Sequence, residues 1–167
     1  MVIIEIIFVY CNLNDQIKLK TSSYNHSHLK IKNLFVKYPD NIKVFDNNNF
    51  MNIEQLYCIL EIDQEGIQNL TRITNLGCSN NSKIKNINHM TNMIELYCHR
   101  DSGIDQEGIQ NLTRITKINC NYNSKIKNIN QMTNMIELDC GASGIDQEGI
   151  QNLIRITKLN CGNNSKI

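Results

Sequence analysis

Residues 62–98 and 104–140 are two copies of one 37-residue stretch, and they differ at only 7 positions. The opening of that stretch, Ile-Asp-Gln-Glu-Gly-Ile-Gln-Asn-Leu, returns a third time from Ile145 to Leu153. A tandem period of 41–42 residues restricts the chain to architectures built by stacking one unit on the next, because such a unit cannot bury its apolar face alone. The period is itself double. Within it recurs an apolar-x-x-apolar-x-Cys unit: Ile53/Leu56/Cys58, Ile73/Leu76/Cys78, Met93/Leu96/Cys98, Ile115/Ile118/Cys120, Met135/Leu138/Cys140 and Ile156/Leu159/Cys161. These units start 20, 20, 22, 20 and 21 residues apart. Two looser copies precede them, Ile6/Val9/Cys11 and Ile31/Leu34/Val36. The whole chain, 1–167, therefore reads as a single domain of about eight repeats starting near 6, 31, 53, 73, 93, 115, 135 and 156, the last incomplete.

The pattern resembles the leucine-rich repeat, L-x-x-L-x-L-x-x-N/C-x-L, with its 20–29-residue period. Asn14, Asn81, Asn123 and Asn164 fall at the motif's Asn position, whereas Pro39, Glu61, Asp101 and Ser143 stand there in the other repeats. The resemblance implies an α/β solenoid: an arc with a concave parallel β-sheet and convex loops, 3₁₀ turns or short helices. It also implies looser turns where the Asn is replaced. The composition and the short Cys-containing repeats are similar to leucine-rich repeat proteins of large DNA viruses and amoebal genomes, which implies an intracellular recognition role. Asp63, Asp105 and Asp146 stand where an N-cap would, and a Gly three residues later argues against long helices.

All seven cysteines occupy one repeat position, and Val36 fills it in the remaining repeat. A position that accepts Val requires a small apolar group, so the cysteines read as core and not as metal ligands or disulfides. No catalytic set, phosphate loop or cofactor motif is readable; His26 and His28 read as loop residues, and metal and cofactor are both expected to be none. A formal charge of +1 implies neither a nucleic-acid nor a membrane partner. No apolar run reaches the ~18–20 residues of a membrane span, and the N-terminal MVIIEIIFVYC reads as a strand and not a signal peptide. A cytoplasmic location is expected. The heavy use of Asn, Ile and Lys reads in part as an effect of AT-rich codons.

Strand alternation then places the outward residues on the concave face. The expected binding positions there are Phe8, Tyr10, Phe35, Tyr57, Glu95, Tyr97, His99, Lys117, Asn119, Asn121, Glu137, Asp139, Lys158 and Asn160. Exposed aromatics are typical anchors, although strand propensity accounts for them equally well. Four of the seven differences between the copies, 75/117, 77/119, 79/121 and 97/139, fall on this face. Either diversification of a recognition surface or drift at exposed sites explains that. Glu95, Lys117, Glu137 and Lys158 form one lateral row of alternating charge. The expected function is non-catalytic protein–protein binding on the concave face, with an unknown protein as partner. The alternative is a self-associating structural protein, joined through uncapped ends, or a truncated repeat remnant.

Overall fold

The computed structural model describes residues 33–36, 53–58 and 62–167. The expectations that rest on Phe8, Tyr10, Cys11, Asn14, His26 and His28 lie outside these residues. Among the described residues, seven short strands form one sheet in sequential order: β1 Asn33–Val36, β2 Gln55–Cys58, β3 Asn75–Gly77, β4 Glu95–Tyr97, β5 Lys117–Asn119, β6 Glu137–Asp139 and β7 Lys158–Asn160. Every pairing is parallel, and the register carries Leu34, Leu56, Leu76, Leu96, Ile118, Leu138 and Leu159 into one row. The fold is the leucine-rich repeat arc that the sequence implies.

Each turn of the solenoid adds one residue to each of several apolar columns. Ile53, Ile73, Met93, Ile115 and Met135 stack in one, Cys58, Cys78, Cys98, Cys120 and Cys140 in another, and all are buried. On the convex side Ile67, Ile87, Ile109 and Ile129 do the same. The cysteine column is solid core: burial pushes the Cys78 thiol up to about 12 and Cys140 up to about 11, and raises Cys58, Cys98 and Cys120 as well. All six described cysteines are free thiols, and Cys161 is half-buried.

Two kinds of convex crossing alternate. After β2, β4 and β6 comes Ile-Asp-Gln-Glu-Gly-Ile, which makes the helical turn α1 Gln64–Ile67 and the 3₁₀ turns Glu107–Ile109 and Glu148–Ile150. Asp63, Asp105 and Asp146 cap these turns, each accepting the Gly N–H three residues on, at 2.9, 3.0 and 2.9 Å. After β3 and β5 comes Asn-Ser-Lys-Ile-Lys-Asn-Ile-Asn, which forms no helical turn. Gly108 and Gly149 belong to the helical kind for a steric reason. A Cβ on Gly108 would run into the backbone oxygen of Lys85 in the preceding repeat, and one on Gly149 into that of Lys127.

The joints between the two kinds are made by side-chain amides. Gln64 accepts from the N–H groups of Lys85 and Asn86 and donates to the Asn86 carbonyl, at 3.0, 2.9 and 2.7 Å. Gln106 repeats this on Lys127 and Asn128. At the other joint Asn88 donates to the Glu107 carbonyl and accepts from the Asn111 N–H, and Asn130 does the same with Glu148 and Asn152. Asn92 and Asn134 donate to the Thr71 and Thr113 carbonyls and accept from Arg114 and Arg155. These asparagines have a structural use: a backbone with little regular structure outside its short strands needs partners for its polar groups, and these amides supply them.

At the outgoing turns Asn81, Asn123 and Asn164 are buried as the motif implies. Asn123 donates to the carbonyls of both Cys98 and Ile104, and Asn164 to those of Cys140 and Ile145. One assignment shifts. In the fourth-strand turn the place belongs to Ser102 and not to Asp101, which is exposed, because this turn carries one residue more than its counterpart at Ser143. Ser102 and Ser143 are buried, and each accepts the N–H two residues on. The serine turns are not loose. The Asn of the following repeat reaches across and bonds the carbonyls that a shorter Ser leaves.

Candidate functional site

The concave face is built from the strand residues that point away from the apolar columns. Tyr57, Gly77, Tyr97, Asn119, Asp139 and Asn160 share one row, with Phe35 of β1 in register beside Tyr57. Glu95, Lys117, Glu137 and Lys158 share the row before it. His99 and Asn121 follow, beyond the ends of β4 and β5. Phe8 and Tyr10 lie outside the described residues.

The face has two chemically distinct halves. In the first, Tyr57 leans across Gly77: a Cβ there would meet its ring carbon Cδ1 at 2.5 Å. The bare glycine lets the Tyr57 and Tyr97 rings approach to 6.4 Å between centroids, tilted by 40°. Such a pair is within the range of favourable aromatic contact. The Tyr97 hydroxyl donates to Glu95 at 3.0 Å, and Lys117 Nζ stands 5.8 Å from the Tyr97 ring centre, close enough for cation–π attraction. Burial, and then the neighbouring tyrosine and Glu95, raise the Tyr57 hydroxyl. Burial and the bond to Glu95 raise Tyr97. Both phenols are neutral donors at neutral pH.

In the second half, Glu137 is held between Lys117 at 3.2 Å and Lys158 at 2.5 Å. The bonds from Lys158 and Lys117 lower the Glu137 carboxyl, and the bond to Glu137 raises Lys117, so this pair is ionised at neutral pH. Asn119 donates to Asp139 Oδ2 at 3.2 Å and accepts from the Asn121 N–H. The enclosed oxygens Asp139 Oδ1 and Asn121 Oδ1 have no donor, which leaves unused acceptor capacity beside the row. A recess of about 420 Å³ lies over this half, lined by Lys117, Asn119, Glu137, Asp139, Lys158 and Asn160. His99 is lowered by burial and by Arg100, against a weaker pull from Asp139, and is neutral near pH 7.

The described residues contain no group of His, Cys, Asp and Glu side chains able to hold a metal ion, and no helix among them is long and apolar enough to cross a membrane. What the face offers is aromatic surface, fixed charges of both signs and hydrogen-bonding amides. Sequence reasoning missed the special role of Gly77, whose signal was a glycine standing between two tyrosines in register.

No protein-family model matches the sequence, and neither does any curated protein. Solved structures do match. An internalin from Listeria monocytogenes superimposes with a TM-score of 0.63 at 18% identity, over 80% of this chain and 42% of its own. The functional domain of InlJ from the same organism, which includes a cysteine ladder, superimposes with a TM-score of 0.54 at 21% identity, over 78% of this chain and 34% of its own. The chain thus spans less than half the length of either. At these identities the likeness concerns the fold alone, and the fold is that of the leucine-rich repeat solenoids to which internalins belong.

Proposed function

We propose that the chain is a non-catalytic protein-interaction module that takes its partner on the concave face. The observation that carries this reading is the pair of tyrosines gathered over Gly77, with the Glu95–Lys117–Glu137–Lys158 row of alternating acidic and basic residues alongside. Aromatic rings beside fixed charges are the composition of interface anchors, and neither ring is needed to fill the core behind the sheet. The buried protonated thiols are poor nucleophiles, and a reducing, intracellular compartment suits them. Within the face, Asn119, Asn121, Asp139 and Asn160 serve as polar contacts around the anchors, and His99 as a neutral one.

The test compares the intact chain with a Tyr57→Ala/Tyr97→Ala variant as paired baits in an extract of the source cells. A partner held by the wild-type chain should be lost or weakened at least tenfold in the variant, since anchors contribute about 2 kcal/mol or more. The melting temperature should change little. A partner that binds both baits equally places recognition elsewhere.

A further inference from the structure

We propose that the lip of the concave sheet, where each strand turns onto the convex side, is an interaction surface for an acidic segment of a protein partner, centred on Arg100 and Tyr122. This rests on the concave-face reading and extends it to a second surface with its own chemistry. Asn80, Arg100, Tyr122, Ala142 and Asn163 all have positive φ, at 60°, 58°, 59°, 49° and 60°. The first four lie on successive linked turns, because Asn80 N–H donates to the His99 carbonyl at 3.4 Å, Arg100 N–H to that of Asn121 at 2.7 Å and Tyr122 N–H to that of Gly141 at 2.9 Å.

A left-handed residue is comfortable as Gly or Asn and strained otherwise. Asn80 and Asn163 obey that rule, whereas Arg100, Tyr122 and Ala142, on three adjacent turns, break it, and two of these three carry large side chains. The comparison of copies sharpens the point. Asn80 and Tyr122 are equivalent positions with the same backbone, so Asn already serves this turn and Tyr adds only strain. Nor does the core need either side chain: Tyr122 is 60% exposed, and Arg100 is exposed too. Ala142 shows that the turn holds a small side chain at the same strain, so strain alone does not mark the place; what marks it is that two adjacent turns both carry large, exposed side chains there. Strain of this kind collects where a side chain is used.

Charge selects the partner. Lys125 donates to the Ser102 carbonyl at 2.8 Å, which fixes a second cation beside the Arg100 turn. Within that turn, residues 99–103, Asp101 is the one acidic side chain set against Arg100 and the incoming Lys125. A guanidinium takes a carboxylate by paired hydrogen bonds, and the Tyr122 ring one strand away can cover the apolar part of the same segment. Nucleic acid fits less well, because a strand needs a continuous basic track and the adjoining row alternates in sign through Glu95, Lys117, Glu137 and Lys158.

Displayed random peptides selected on the intact chain provide the probe, with affinities then measured for individual synthetic peptides. Peptides rich in Asp and Glu are expected. Arg100→Asn/Tyr122→Asn should weaken them at least tenfold while raising the melting temperature by roughly 2–4 °C, the shift that relief of about 1 kcal/mol gives in a chain of this size. Higher stability with unchanged affinity would reduce the lip to strain without use. Loss of affinity only in Tyr57→Ala/Tyr97→Ala would overturn the lip and leave the concave-face reading standing. Failure to recover acidic peptides, or tighter binding of a single-stranded oligonucleotide, would overturn the partner class.

Discussion

On the convex side Gln106 holds three backbone groups of the next repeat, and Asn88 holds two. On the concave side Asn119 bonds one neighbouring side chain and one nearby N–H. The tandem copies reflect this contrast. Residues 62–74 are identical to 104–116, and 81–94 differ from 123–136 only at His89 and Gln131. Between them, 75–80 and 117–122 differ at every position but the shared cysteine, Cys78 and Cys120. A solvent-facing position is thus not a free one. The convex amides have a structural reason to stay constant, so the unequal rate of change does not by itself demand selection at the concave face. Recognition there is supported instead by the tyrosine pair over Gly77.

The largest test of this contrast sets two glycines against each other. Gly108→Ala drives a methyl into the Lys85 backbone, which is itself tied by Ile87 N–H to the Gly108 carbonyl at 2.9 Å. It should cost about 3 kcal/mol, the upper range for overpacking. Gly77→Ala meets only the Tyr57 ring, which can swing into solvent, and should cost about 1 kcal/mol. Urea unfolding of both variants measures the difference, and equal losses would remove the distinction between the faces.

A smaller effect separates the amides. Gln106→Ala leaves two N–H groups and a carbonyl without their partner and should cost about 1–2 kcal/mol. Asn119→Ala should stay within about 0.5 kcal/mol, as ordinary surface changes do. If the two variants unfold at the same denaturant concentration, the convex clamps contribute nothing.

The smallest effect concerns pH. Lys158 and Lys117 hold the Glu137 carboxyl below its ordinary value. A depressed carboxyl contributes stability that is present above its unfolded pKa and lost as pH falls through its folded pKa. Glu137→Gln should therefore leave the melting temperature nearly unchanged in acid and lower it slightly at neutral pH. Added salt should shrink the difference. An acid-range difference larger than the neutral one would have the wrong sign.

Strand register, the apolar columns and the buried asparagines were legible in the sequence, because each follows from spacing relative to Cys. Where one residue is inserted, that ruler fails, and Asp101 was counted into a place that Ser102 holds. The convex clamps were legible in principle, since Asn86, Asn88 and Asn92 return as Asn128, Asn130 and Asn134. Their partners lie 18–23 residues away, however, and no periodicity names a bonding partner. At the site, the rows of Tyr57, Tyr97, Lys117 and Glu137 followed from alternation. The approach of the two rings over Gly77 and the left-handed backbone of Arg100 and Tyr122 depend on three-dimensional packing, which spacing does not encode.

The alternation of helical and irregular crossings gives the molecule a phase. Gln106 fits an irregular neighbour, and Asn88 fits a helical one, so the two joints are not interchangeable. A solenoid of this kind keeps all its clamps only if it lengthens or shortens in even steps. One repeat added or removed would set like against like and break every clamp at that joint, whereas a pair restores the beat. The 41–42-residue duplication is the shortest copying event that keeps time, and a chain grown this way carries the record of each such event along its convex spine.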